Sequence, residues 1–407
     1  MARFRAGAIL CLIALVAWAG TASAADCNGA QAAAWHLRIR QAEAKLDAAA
    51  NAGMNGSAQV PVSVESDIQA FKDALVDVAD HRMACQTSAA PEAQAVEAQL
   101  AGALGANKPA ETQARDASAA GLIVRVREAW GMPEWLLARI GFPLGACCIA
   151  DDNLLLVYAY SKGRWRRVLR LQSGAYTDVG GAWGDFFDYL VLPAKVGRAR
   201  RIVIAHGKPW PQSCWSGFVI DVFEPQTSRD SAQRVFHADH GYRRCGMRPE
   251  LTRTADGFGL AASLGTWRMP SVLRDGLFRY RPQGDGYVRV QPVAFNPRDF
   301  VGAWLDAKWA EASQWSSPAA DAALHKVHSD LEHGRDFDWV EYGDVDACPH
   351  DNFQVALDLE FILLDKVLSK RTLRFMVHAD GGDVFTLLAA SARSDPACDR
   401  KLAMQRD

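Results

Sequence analysis

The chain has 407 residues, of which 49% are hydrophobic and 23% are charged, and its formal net charge at pH 7 is −2. This composition is sufficient for a packed core, and the length predicts two or three domains. Because the charge is nearly balanced and no long run carries one sign, the basic surface that nucleic-acid binding requires is not expected.

The first 24 residues (1–24) have the composition of a secretory signal peptide. A basic start is followed by an uncharged apolar stretch, residues 6–17, and Ala22-Ser23-Ala24 supplies small residues for cleavage. We therefore expect cleavage near Ala24 and a mature chain that is periplasmic or secreted in a bacterium. No later stretch approaches the roughly 18 apolar residues of a transmembrane helix, so no membrane span is expected in the mature chain.

Residues 25–105 predict a helical hairpin. The segment Gln31–Ala50 lacks proline and glycine, and Ser66–Ala84 carries apolar side chains at helical spacing, with loop composition between the two. Cys27 precedes the first helix and Cys85 follows the second. Antiparallel helices would bring these two cysteines together, so we predict a disulfide between them.

Residues 106–140 are interpreted as a linker or helical connector, and residues 141–298 as an antiparallel β domain. Pairs of alternating apolar runs around polar turns recur there, and their first strands start near Leu154, Phe218 and Leu277. Further pairs lie between them, which predicts a repeated four-stranded meander. This rhythm is typical of propeller blades, although the period of about 60 residues is long for one, and a β-sandwich is the alternative.

Residues 299–407 are expected to form a C-terminal module of helices followed by a small β-sheet. The predicted fold class is therefore α+β with a mainly antiparallel β core. It combines an N-terminal helical hairpin, propeller-like meander repeats or a sandwich, and the C-terminal module.

Eight cysteines remain after signal cleavage, in a compartment where disulfides persist. Cys214 and Cys245 flank the middle hairpin of the β domain, and Cys348 and Cys398 flank the last sheet. We predict that each of these two pairs forms a disulfide. The cysteines left over are the adjacent Cys147 and Cys148, which are interpreted as buried thiols, with a labile vicinal disulfide as the alternative.

Two loops of the β domain contain the candidate binding residues. The segment from His206 to Phe218 places one tryptophan between two prolines and another beside Cys214, so both indoles would be stiff contact surfaces. The glycine-rich segment Gly180–Tyr189 adds a tryptophan and an aspartate. The candidate binding residues are Trp183, Asp185, His206, Trp210 and Trp215.

The favoured prediction is a non-catalytic envelope protein that binds a ligand or another protein through these loops, with an envelope protein or glycan as partner. The alternative is a hydrolase that acts on an envelope polymer. It would use His206 as base, Ser213 or Ser216 as nucleophile, and Asp221 or Asp185 to orient the base. The common catalytic signatures, including Gly-x-Ser-x-Gly, are absent from the sequence.

No metal or cofactor is expected. His325, His328 and Glu332 share one face of a predicted helix, but a solvated face has the same appearance. The segment from His237 to His240 lies on a predicted strand, where successive side chains alternate between faces and do not converge on one ion.

Overall fold

The computed structural model describes residues 30–53, 62–106, 122–129, 132–142, 152–173, 183–194, 200–208, 215–226, 232–243, 249–266, 269–333, 339–348, 354–363, 369–381, 383–392 and 400–401. The helices are α1 (Ala30–Gly53), α2 (Val62–Ala84), α3 (Ala93–Leu104), α4 (Pro297–Asp306), α5 (Trp309–Ala312) and α6 (Asp321–His333). The strands are β1 (Ile123–Ala129), β2 (Met132–Phe142), β3 (Asp152–Ser161), β4 (Arg164–Gln172), β5 (Gly184–Leu192), β6 (Arg201–Lys208), β7 (Trp215–Pro225), β8 (Ala232–Arg243), β9 (Glu250–Arg253), β10 (Phe258–Thr266), β11 (Met269–Gln283), β12 (Gly286–Val290), β13 (Trp339–Ala347), β14 (Gln354–Leu363), β15 (Ser369–Ala379), β16 (Phe385–Ser391) and β17 (Arg400–Lys401).

The strands form four antiparallel sheets that follow one another along the chain. The first sheet is β1–β4, the second is β5–β8 and the third is β9–β12, and in each of them every strand pairs with its neighbour in sequence. The fourth sheet has the order β16-β15-β14-β13-β17. Of the helices in the described residues, none is both long enough and apolar enough to cross a membrane.

Helices α1–α3 cover one face of the first sheet, and the second sheet covers its other face. Leu154, Leu156 and Tyr158 of β3 belong to the core shared with the helices. The alternate residues Leu155 and Val157 belong to the core shared with the second sheet. Because both faces are buried, the strand carries an unbroken apolar run instead of an alternating one.

The second sheet is also buried on both faces. Ile202 and Ile204 of β6 pack toward the first sheet. Val203 and Ala205 pack toward the third sheet, against residues such as Phe258. The three sheets are therefore layered face to face.

Helices α4–α6 pack on the fourth sheet and form a separate core with it. Trp304 of α4 and Phe375 of β15 are both fully buried in this core. Helix α4 starts at Pro297, and the side chain of Asn296 caps it by accepting a hydrogen bond from the Asp299 N–H at 2.9 Å.

The structure confirms the α+β class with mainly antiparallel sheets. The linker or helical connector assigned to residues 106–140 is wrong for residues 123–129 and 132–140, which form β1 and most of β2. The physical reason is the alternation in β1, where Val124 and Val126 are buried and Arg125 between them is only partly buried. Glu97 of α3 accepts the Val126 N–H at 2.8 Å and so fixes the helix against this edge strand.

The predicted disulfides lie only partly in the described residues. Cys85 follows the last residue of α2, and Cys348 follows the last residue of β13. Their predicted partners, and both members of the pair Cys214–Cys245, lie outside the described residues, as does the adjacent pair Cys147–Cys148. All three pairings stay predictions.

Candidate functional site

The two predicted binding loops meet at Trp183 and His206. Strands β5 and β6 are neighbours, and Gly184 pairs with Gly207 in their register. The indole of Trp183 stacks on the His206 imidazole with ring centroids 5.3 Å apart and an interplanar angle of 26°. Trp183 is only 8% exposed, so it packs inside the sheet stack and offers no open face to a partner.

The other candidates in these loops are described less completely. Trp210 and Ser213 lie outside the described residues, and only the backbone positions of Asp185, Trp215 and Ser216 are described, within β5 and β7. Their role as a contact surface remains a prediction.

His206 lies beside a buried carboxylate. His206 Nε2 is 3.9 Å from Oδ2 of Asp221, and both side chains are about 5% exposed. On its other side, Asp221 Oδ1 accepts a hydrogen bond from Nδ1 of His237 at 2.8 Å. Burial alone would raise the pKa of Asp221, but the contacts with His206 and His237 outweigh burial and hold that pKa below its usual value.

A nucleophile for the hydrolase alternative is not found beside His206 in the described part of the chain. His206 pairs with Val219 in the register of β6 and β7, and Ser216 lies three residues before Val219 in β7. At the rise of an extended strand, this separation is about 10 Å. The structure therefore brings together the proposed base and the proposed orienting carboxylate, Asp221, without bringing the backbone of Ser216 near them.

His237 is a member of this cluster that the sequence analysis did not assign. The sequence does contain a signal for it, because strand alternation separates His237 from His240. The structure shows that His237 contacts Asp221, whereas His240 packs on Phe278 of the third sheet, with ring centroids 4.3 Å apart. The two histidines therefore serve different sites.

A larger site lies between β8, the third sheet and residues 306–314. It is an open cleft of about 900 Å³, which we call the cleft. Aromatic side chains form much of its lining, among them Phe236 of β8, Phe278 and Tyr280 of β11, and Tyr287 of β12. Polar and charged side chains make up about half of the lining residues, and the volume lies in the range of small-molecule sites.

A neutral histidine–tyrosine pair lies in the wall of the cleft. His240 Nε2 is 2.9 Å from the hydroxyl oxygen of Tyr280. Burial, assisted by the positive charge of Arg289, lowers the pKa of His240 to about 3. Burial also raises the pKa of Tyr280, so at neutral pH the tyrosine hydroxyl donates to an uncharged imidazole.

Arg289 supplies the first of two buried positive charges in the cleft. Its Nη1 donates to Oε1 of Glu311 at 3.1 Å, and its Nη2 donates to the Leu277 carbonyl at 3.1 Å. The guanidinium lies over the rings of Phe278 and Trp315, at 4.4 and 5.2 Å from their centroids. Burial lowers the pKa of Arg289 and Glu311 opposes that shift, but an arginine stays charged in either case.

Arg274 supplies the second charge, at the side of the cleft next to α4. Its Nε donates to the Gly265 carbonyl at 3.1 Å, and its Nη2 forms an ion pair with the carboxylate of Asp306. Gly302 makes room for this side chain, because a Cβ there would lie 3.0 Å from the Arg274 Cδ.

The predicted helical face of His325, His328 and Glu332 does not form one site. His328 is buried, and its Nε2 is 2.9 Å from the Ala307 carbonyl. His325 is exposed and stacks on Trp309, with centroids 4.6 Å apart. Across the described residues, no three His, Cys, Asp or Glu side chains are close enough together to hold a metal ion.

Comparison with known proteins adds no functional information. Neither a protein-family model nor a curated protein matches the chain. The geometry of the cleft is therefore the basis for assigning a function.

Proposed function

We propose that the protein is exported to the bacterial envelope and binds a small molecule in the cleft without chemically changing it. The observation that carries this proposal is the cleft itself, about 900 Å³ in volume, where aromatic rings and two buried arginines lie together among other polar side chains. Export is supported by the signal-peptide composition of residues 1–24.

The lining of the cleft supports binding because its side chains are already fixed. Tyr280 is held by His240, and Arg289 is held by Phe278 and a backbone carbonyl. A site whose side chains are ordered before binding loses less conformational entropy when the ligand arrives. The cleft lies at a different place in the fold from the binding site predicted from the sequence, which was on the loops around Trp183 and His206.

Filling the cleft tests this proposal. Ala310 is an exposed residue of α5 that lines the cleft, and Ala322 is an exposed residue of α6 outside it. We expect small ring compounds, screened by ligand-observed NMR, to bind the full mature chain. Ala310→Trp should weaken them at least about tenfold because the indole occupies their place. The matched variant Ala322→Trp should bind them as the unchanged protein does.

Two outcomes would contradict the cleft as the binding site. One is a screen in which no compound binds the unchanged protein. The other is a set of compounds that bind A310W and the unchanged protein equally well.

The hydrolase alternative has weaker support. It rests on the proximity of His206 to Asp221, and a catalytic serine would have to come from Ser213, which lies outside the described residues. In addition, His206 is almost fully buried, whereas a base that acts on a polymer must reach its substrate.

We further propose that the sheets are propeller-like units, with a sandwich as the alternative. Their strand orders support this, because each of the first three sheets is a complete four-stranded meander. The first packs face to face on the second, and the second on the third. Greek-key sandwiches instead contain connections that cross between sheets.

The described strands support the two predicted disulfides of the β-sheets. Trp215 pairs with Arg243, and Ala347 pairs with Arg400. These paired strand ends lie one or two residues in sequence from the cysteines of the predicted pairs Cys214–Cys245 and Cys348–Cys398.

The pairing of Cys27 with Cys85 is supported by the contacts between α1 and α2. Arg38 forms an ion pair with Asp77, and Trp35 packs against His81, so the two helices run antiparallel. We expect non-reducing peptide mapping of the purified mature chain to recover all three predicted pairs. Any other partner for Cys85 would contradict the hairpin argument.

A further inference from the structure

We infer that the ligand of the cleft is a small organic anion with an apolar body, and that its carboxylate or equivalent anionic group binds Arg289 and Arg274. This inference rests on the binding function proposed above and names the chemical class of the ligand.

Both arginines are buried and have unused donors. The side chain of Arg289 is 9% exposed, and that of Arg274 is 4% exposed. Among the described residues, Nε of Arg289 and Nη1 of Arg274 are buried without a hydrogen-bond partner. Buried donors are nearly always satisfied in proteins, and a guanidinium presents its donors in a planar fork that matches a carboxylate. A bound anion would supply the missing acceptors.

The carboxylates that now pair with these arginines are suited to exchange. Glu311 is 29% exposed and Asp306 is 39% exposed, so each carboxylate can turn into water. The arginines cannot do so, and an unpaired buried charge is strongly unfavourable. A ligand anion that replaces Glu311 leaves Arg289 paired and returns Glu311 to solvent, so the exchange leaves no buried charge uncompensated.

The surface next to the arginines fits an apolar body. Phe278 lies beneath the Arg289 guanidinium, and Phe236 and Tyr287 line the cleft further along. His240 adds no charge because it is neutral, and its pairing with Tyr280 places a polar contact in the same wall. The remaining charged residues that line the cleft are Lys308 and Asp239, one of each sign.

Benzoate, benzamide and benzylamine test the charge requirement because they share one ring. We expect calorimetric titration of the full mature chain to detect benzoate, with benzamide and benzylamine at least about tenfold weaker, since only benzoate carries a negative charge that can pair with the guanidinium groups. Glu311→Gln should tighten benzoate binding about tenfold because it removes the competing carboxylate.

Arg289→Gln should weaken benzoate about 30-fold or more because it removes a buried charged anchor. Should R289Q fail to fold, the gain predicted for E311Q still decides the inference, since loss of structure cannot tighten binding. The matched control for Glu311→Gln is Asp330→Asn, which also replaces a carboxylate by an amide, but in an exposed ion pair on α6. It should leave benzoate binding unchanged.

The results separate this inference from the proposed function. Benzamide that binds as tightly as benzoate, or benzoate affinity that E311Q leaves unchanged or weakens, would overturn the anion inference. In either case, loss of ring-compound binding in A310W would still support a binding cleft. If neither these three probes nor the wider screen binds the unchanged protein, both proposals fail.

Discussion

Replacing Lys72 by methionine, or Asp152 by asparagine, is expected to lower the free energy of unfolding by about 3–5 kcal/mol, the usual cost of leaving one buried charge without its partner. Lys72 Nζ lies 2.7 Å from Oδ2 of Asp152, and both side chains are fully buried. Lys72 also donates to Ser173 at 2.7 Å. Burial lowers the pKa of Lys72 and Asp152 opposes that shift, so removing the aspartate leaves the ammonium with little compensation.

The double variant K72M/D152N tests whether the two charges act as a pair. It should be more stable than the sum of the single changes predicts, by about 2 kcal/mol, because it leaves no unpaired charge. Urea unfolding of all variants gives these values. The exposed pair Lys326–Asp330 is the matched control, and K326M and D330N should each cost less than about 1 kcal/mol. Strictly additive costs at the buried pair would contradict the prediction.

This ion pair also connects three layers of the fold. Lys72 belongs to α2, and Asp152 starts β3 in the first sheet. Asp152 Oδ1 accepts the backbone N–H of Trp183 at 2.8 Å, just before β5 of the second sheet. The K72M and D152N variants should therefore change the fluorescence of Trp183 as well as stability. The helical hairpin is thus attached to the β-sheets by a buried ion pair and its hydrogen bonds, and not only by apolar packing.

Periodicity predicted most of the secondary structure because it is a local property. The helical spacing around Phe71 and the paired apolar runs of β3 and β4 each specify an element without reference to the rest of the chain. Strands β1, β2 and β13 were not predicted, and in β1 and β13 arginine or acidic residues interrupt the apolar positions. Such strands are recognisable only when the neighbouring strand is known.

The sites were harder to predict because they depend on contacts between residues that are distant in sequence. Lys72 lies on the apolar face of α2, four residues after Ile68, and no sequence pattern shows that Asp152 will meet it. Arg289 and Glu311 are likewise brought together by the packing of α5 against the third sheet. The sequence did place His206 near Asp221, because the two lie on strands that a short loop joins.

Acid is expected to destabilise the protein through His240. The ordinary pKa of a histidine is 6.5, and burial lowers the pKa of His240 to about 3 in the folded protein. Between those values the unfolded chain binds a proton that the folded protein excludes, so the contribution of His240 is complete above about pH 6.5 and falls as the pH drops toward 3. At pH 5, protonation of His240 in the unfolded chain is expected to lower the free energy of unfolding by about 2 kcal/mol.

His240→Gln should remove this loss, because glutamine does not titrate and its amide can still accept from Tyr280. The measurement is the free energy of unfolding in urea at pH 7.5 and pH 5 for H240Q and the unchanged protein. Tyr280→Phe is the informative control, since burial and not the hydrogen bond is the main cause of the shift. Y280F should therefore keep the acid-dependent loss. If H240Q lost as much stability between pH 7.5 and 5 as the unchanged protein, another group would be responsible and the neutral imidazole in the cleft would have no support.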